Sequence, residues 1–196
     1  MRTADIKRKT NETDIKLSLN LDAAQDGPVR TGSPFLDHML DLLRKHGGFG
    51  LSVECDGDNA IDMHHSAEDI AICLGEALLQ AVGDKRGIER YGFYYVTMDE
   101  ALARCCLDLS GRIGFVYNAA LPMSRIGNLD TELVQHFFRS VAENAKMNLH
   151  IDLLRGTNTH HCVEAMFKAF ARALAMAISP SRRVTGVPST KGTLNS

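Results

Sequence analysis

The chain has 196 residues, 22 basic against 24 acidic side chains for a net charge of −2, and 44% hydrophobic residues; this is the balance of a soluble globular protein with one large domain or two packed halves. Near-neutral charge excludes the basic stripe of a nucleic-acid binder, and no apolar run approaches the roughly 20 residues that cross a bilayer. Five cysteines without a C-x-x-C pair predict reduced thiols, and Met1–Lys7 lacks the apolar core of a signal peptide, so a cytoplasmic protein is expected.

In chain order, Met1–Arg8 reads as a loose polar end and the alternating Asp14–Leu21 as a strand. Leu36, Met39, Leu40 and Leu43 recur at helical spacing. A short strand over Gly50–Cys55 and an amphipathic helix from His64 follow. After a boundary near Gly87–Gly92, strands are predicted at Tyr94–Asp99 and Ala103–Leu109, broken at Asp99-Glu100. Val134, Phe137, Phe138 and Val141 then mark a helix, Met147–Leu153 a strand, and the segment from His160 a last helix. These are two copies of one unit: His38 and His136 lie 98 residues apart, His64 and His160 96. The predicted fold class is α+β, a two-layer sandwich duplicated as strand-strand-helix-strand-helix. It forms one unit, 1–196, with pseudo-repeats at about 1–90 and 91–180 and a tail, 181–196, that is mobile unless tied to a ligand or neighbour.

The repeat carries its polar residues at matching places. H-H-x-x-E occurs as His64-His65-Ser66-Ala67-Glu68 and as His160-His161-Cys162-Val163-Glu164. On a helix each glutamate lies beside both histidines, but adjacent histidines diverge by about 100° around the axis. Each pair therefore serves two metal ions, one histidine apiece, and His38 or His136 in the preceding helix completes a set. Six imidazoles and two carboxylates suit Mn, Fe, Co or Zn rather than Mg or Ca. A single H-x-x-E is usually a solvated pair or a cap; its recurrence with a matched upstream histidine makes it a metal motif. It is not H-E-x-x-H, and Asp69 stands where an H-x-x-E-H peptidase needs histidine. His46 reads as a helix C-terminal residue and His150 as a strand surface residue. Asp62 is expected to orient an imidazole.

The segments FLDHM, HHSAED, DLSGR, QHFF, HHCVEAMFKAFARAL and PSTKG together resemble the imidazoleglycerol-phosphate dehydratase family, from about Arg8 to Leu194. Ile113 departs from the proline expected after Gly111-Arg112. The resemblance implies a duplicated fold like a ribosomal-protein domain and the small-molecule kinases. It also implies a homo-oligomer of 24 subunits, with two Mn²⁺ per active site (or other divalent transition metals) at subunit contacts. The implied ligands are His38, His64, His65, Glu68, His136, His160, His161 and Glu164.

By composition the Pro188-Ser189-Thr190-Lys191-Gly192 turn is a loose end, and Arg90 and Arg112 are loop charges. The resemblance makes them, with Ser189, Thr190 and Lys191, the holders of a substrate phosphate, a group arginine suits. Lys168, a helix salt-bridge partner of Glu164 by spacing, faces the substrate by resemblance, and Glu12, otherwise a strand-edge acid, contacts it.

The implied reaction is dehydration of imidazole glycerol phosphate to imidazole acetol phosphate in histidine biosynthesis. An imidazolate held between two metal ions would ease loss of a C–H proton to a carboxylate, Glu12 or Glu164. Two other readings are a metal-stapled assembly protein, which has no use for Arg90, Arg112 and the tail, and a dinuclear hydrolase, which usually carries more aspartates.

Overall fold

Alternation along the strands sets each sheet. The computed structural model describes residues 1–194. Its first sheet contains β1 (Thr3–Lys9), β2 (Thr13–Asn20), β3 (Asp26–Arg30) and β4 (Gly50–Gly57), in the order β1-β2-β4-β3. Neighbours are antiparallel except β3, which runs parallel to β4. Ile15, Leu17 and Leu19 of β2 are buried, with Lys16 and Ser18 exposed between them. Two helices flank β4 in sequence, α1 (Pro34–Gly47) and α2 (His64–Val82). The Ser33 hydroxyl accepts from the Leu36 amide to start α1, Pro34 occupies its first turn, and Gly48 at φ +70° ends it.

The second half repeats the plan. β5 (Tyr91–Met98), β6 (Ala101–Asp108), β7 (Gly114–Asn118) and β10 (Asn148–Arg155) form a sheet ordered β5-β6-β10-β7, again with a parallel pair, β7 and β10. A small ribbon of β8 (Arg125–Ile126) and β9 (Leu129–Asp130) precedes α3 (Glu132–Asn144), and α4 (Thr159–Ile178) follows β10. The fold is α+β. Its halves meet through helices: α1 packs on α4 and α2 on α3. Phe137 and Phe138 of α3 pack their rings at a tilt against Phe167 of α4 in the shared core. Gly75 permits the close α2–α3 crossing, because a Cβ there would sit 2.7 Å from the Val141 carbonyl oxygen.

Each four-stranded sheet holds one strand more than the predicted unit, β3 in the first and β7 in the second, and the β8–β9 ribbon is a further addition. β3 is written Asp-Gly-Pro-Val-Arg, and Gly27-Pro28 reads as a turn. The proline is tolerated because β3 is an edge strand. β7 is five residues long and follows the Ser110-Gly111-Arg112 bend, so it offers little alternation. Met1–Arg8 is not a loose end: β1 pairs with β2 from Thr3 opposite Asn20 to Lys9 opposite Asp14. Tail residues dock on the α2–β5 connection, Pro180 bridging to Ile88 and Gly186 accepting from the Gly87 amide. The last two positions of the predicted 181–196 tail lie outside the described residues. Among those described, no helix is long and apolar enough to cross a membrane.

Candidate functional site

The H-H-x-x-E segments open α2 and α4, which fixes where their side chains can point. Asn158 caps α4 by accepting from the His161 amide. At α2 the Asp62 carboxylate accepts from the His64 amide at 2.7 Å. Asp62 therefore holds a helix start and, among the described residues, hydrogen-bonds to no imidazole, unlike the expectation from sequence.

The packing of α1 on α4 and of α2 on α3 then assembles two clusters, each crossed between the halves. His38 of the first half joins His160 and Glu164 of the second, and His136 of the second joins His64 and Glu68 of the first. Within each cluster, one ligand atom per residue lies within 4.8 Å of the others. Glu164 Oε2 is 3.3 Å from His38 Nε2 and 3.1 Å from His160 Nε2, and Glu68 Oε1 is 2.9 Å from His136 Nε2. Two imidazole nitrogens and one carboxylate oxygen are a donor set fit for a borderline divalent ion.

The second histidine of each pair joins neither cluster. His65 Nδ1 lies 3.0 Å from Asp58 Oδ2, and His161 Nδ1 lies 2.8 Å from Glu100 Oε2. These hydrogen bonds raise both imidazoles above their ordinary value. Donation from Nδ1–H leaves Nε2 as the nitrogen with a lone pair to offer. His65 Nε2 has Glu12 Oε1 at 3.6 Å, and His161 Nε2 has Asp99 Oδ2 at 3.8 Å. Asp58, Asp99 and Glu100 were missed by sequence reasoning. The usable signal is positional: Glu12 and Glu100 both stand in a hairpin turn, β1–β2 and β5–β6.

The carboxylates differ in how far they are already engaged. Burial would raise the Glu164 carboxyl, but hydrogen bonds from Lys168 and His38 hold it below the ordinary carboxylate value. Lys168 Nζ sits 2.5 Å from Glu164 Oε1. Glu100 accepts from His161 and from the Asn158 and Thr157 amides, which hold it down to about 2. Glu12 is half-exposed, and its turn is steadied from below. Thr13 donates to Asp69 of α2 at 2.6 Å and Arg8 to the same carboxylate at 2.9 Å.

A separate cleft gathers the expected phosphate-binding residues. Arg90, Arg112, Ser189, Thr190 and Lys191 line it. The Ser189 hydroxyl accepts from the Lys191 amide in a tight turn. Arg112 and Lys191 are exposed. Arg90 is instead nearly buried, with Nε and Nη2 on the Asp108 carboxylate at 2.6 and 3.0 Å and Nη1 on the Pro188 carbonyl at 2.8 Å. The Arg90 amide also bonds the Ala177 carbonyl near the end of α4. His160 stands in the first turn of that helix, so a rise of about 1.5 Å per residue sets its cluster roughly 25 Å from the Arg90 backbone at the edge of the cleft. His46 ends α1 with its value lowered by burial, and His150 lies exposed on β10.

Comparison with known proteins points to one family. A model described as imidazoleglycerol-phosphate dehydratase matches residues 31–174. An imidazoleglycerol-phosphate dehydratase of Bacillus licheniformis is 55% identical, covering 99% of this chain and 100% of the relative. That of Halorhodospira halophila is 52% identical and covers 98% of each. The crystal structure of imidazoleglycerol-phosphate dehydratase from Staphylococcus aureus superposes with a TM-score of 0.83 at 43% identity, over 91% of this chain and 99% of that one.

Proposed function

The chain belongs to the imidazoleglycerol-phosphate dehydratase family, hydro-lyases of histidine biosynthesis, and we propose that it performs this dehydration with two divalent transition-metal ions, Mn²⁺ foremost, per active site. His38, His160 and Glu164 would hold one ion and His64, Glu68 and His136 the other. Nε2 of His65 and of His161 supplies the remaining protein ligands. When bound, such ions supply Lewis acidity at the nitrogens of the substrate imidazole. The crossed pair of clusters is the observation that carries this reading.

The chain's own residues account for the rest. Glu12, with no hydrogen-bond donor committed to its carboxylate among the described residues, is the base that takes the C–H proton. Glu164 is occupied by two histidines and Lys168, which favours Glu12 over it. Lys168, steadied by Glu164, is placed to hold a substrate hydroxyl. Arg112, Ser189, Thr190 and Lys191 take the phosphate, and Arg90 holds the tail that presents them. Loss of the hydroxyl as water and ketonisation then give imidazole acetol phosphate.

A separation of roughly 25 Å between cluster and cleft exceeds the span of a small phosphorylated imidazole. The phosphate holders for one cluster are therefore supplied by another subunit, which is how we read the need for a homo-oligomer, 24 subunits by family likeness, with metals at its contacts. The test is ketone formation from imidazole glycerol phosphate, followed with metal content and with particle mass by light scattering. Chelation should abolish turnover and lower the mass, and Mn²⁺ should restore both. Full turnover after verified metal removal would overturn the metal reading, and unchanged mass would overturn the placing of metals at subunit contacts.

A further inference from the structure

Lys85 is a buried cation that none of the chemistry above uses. It sits in the α2–β5 connection at φ +63° and is 2% exposed. A lysine is rarely buried this far without a partner, and burial lowers its amine below the ordinary value. Its Nζ donates to the carbonyl of Leu194, 3.3 Å away, whose side chain is itself buried. Gly111 faces the same carbonyl at φ +78°, and a Cβ there would collide with the oxygen. The tail is tied at two earlier points, Gly186 to the Gly87 amide and Pro188 to Arg90. Ser189, Thr190 and Lys191 thus hang as a short loop between fixed ends.

We propose that Lys85 is a positioning residue that latches the end of the tail through the Leu194 carbonyl and so holds the Ser189–Lys191 turn against Arg112 as an anion-binding cleft. The inference rests on the phosphate reading of that cleft. The latch works by geometry: an ammonium inside the protein captures a backbone carbonyl, and Gly111 leaves room for the chain to reach it. Lys85 touches neither substrate nor metal, so its loss should alter substrate capture more than the chemical step.

The experiment uses the assembled enzyme, with Lys85→Met to keep the stem and remove the charge. Trypsin cutting after Lys191, read by intact mass, should be at least tenfold faster in Lys85→Met. KM for imidazole glycerol phosphate should rise about tenfold with kcat within threefold. A chain ended at Thr193, which lacks the carbonyl acceptor, should show the same changes, and adding Lys85→Met to it should change little further. Lys85→Arg, which keeps a donor, should recover part of the effect. Unaltered cutting after Lys191 in Lys85→Met, or fully additive effects of the two changes, would overturn the latch. Faster cutting with unaltered KM would leave the latch standing and overturn the phosphate reading instead. Should Lys85→Met not fold, the chain ended at Thr193 decides: cutting and KM like the parent's would overturn the latch.

Discussion

The two hairpin turns, β1–β2 and β5–β6, occupy equivalent places in the two halves and carry opposite kinds of acid. Glu100 is engaged by His161 and the two amides just before α4, while Glu12 stands beside His65 with no hydrogen-bond donor on its carboxylate among the described residues. In the first half the orienting task falls to Asp58 from the β4–α2 loop instead. The clusters show the same divergence. Glu164 is 7% exposed and paired with Lys168, whereas Glu68 is 38% exposed, with Ile72 where the second copy has lysine. A duplicated frame thus repeats its histidine–glutamate clusters while its acids differ: Glu12 and Glu68 are the more exposed, Glu100 and Glu164 the more firmly held.

The sharpest way to break this comparison is to neutralise both hairpin acids. Glu12→Gln should lower kcat by roughly 10²-fold or more, the scale of general-base removal, with metal content unchanged. Glu100→Gln should instead weaken metal binding by about 10- to 100-fold, the usual cost of losing a carboxylate behind a ligating histidine. Excess Mn²⁺ should restore its turnover. Metal analysis beside kinetics separates the two, and equal rescue by Mn²⁺ would end the distinction.

The cluster glutamates sharpen it further. Both Glu68→Gln and Glu164→Gln should lose metal, but Mn²⁺ should rescue Glu68→Gln fully and Glu164→Gln only in part. Glu164→Gln leaves Lys168 without its carboxylate, so denaturant titration should show an added loss of about 1–3 kcal/mol. A smaller effect is expected at the cleft. Arg112→Ala should raise KM about tenfold at constant kcat. Arg90→Ala should also lower stability, because Arg90 is bound bidentately to Asp108.

The smallest effect is a pH slope in metal-free protein. Glu100 is lowered to about 2 from 4.5, first by His161, so its stabilisation is complete above pH 4.5 and lost as pH falls towards 2. His161 is raised above 6.5 by Glu100, so its contribution is complete below pH 6.5 and lost as pH climbs through the raised value. The pair should therefore help most between pH 4.5 and 6.5. Glu100→Gln should flatten the Tm profile on both flanks of that window.

The sequence made H-H-x-x-E and the matched His38 and His136 legible, because a repeat exposes polar positions that helical periodicity alone does not require. It did not reveal that each of these two histidines serves the other copy's helix, since that depends on α1 lying on α4 and α2 on α3. Asp58 and Glu100 were hidden for a related reason: they reach the histidines through loop geometry, and one comes from a hairpin while its counterpart comes from the segment before a helix. Glu12 was singled out only through family likeness, as a lone turn acid has no periodicity to betray it. β3 and β7 were obscured by glycine, proline and short length at sheet edges, where the ladder makes few demands on composition. Lys85, buried beside the tail, broke the rule that lysines lie outside, and a pattern of residue types cannot announce such an exception.

The crossed clusters also bear on descent. Among the described residues, neither half alone brings three donors into one cluster, for each lacks the histidine that its counterpart lends. A half-length ancestor could have held such ions only as a symmetric pair, with one imidazole from each chain reaching across the axis. Joining the two into a single polypeptide would have removed the obligation to stay identical. Lysine could then stand at position 168 and isoleucine at 72, and an asymmetric substrate could be met by an asymmetric site.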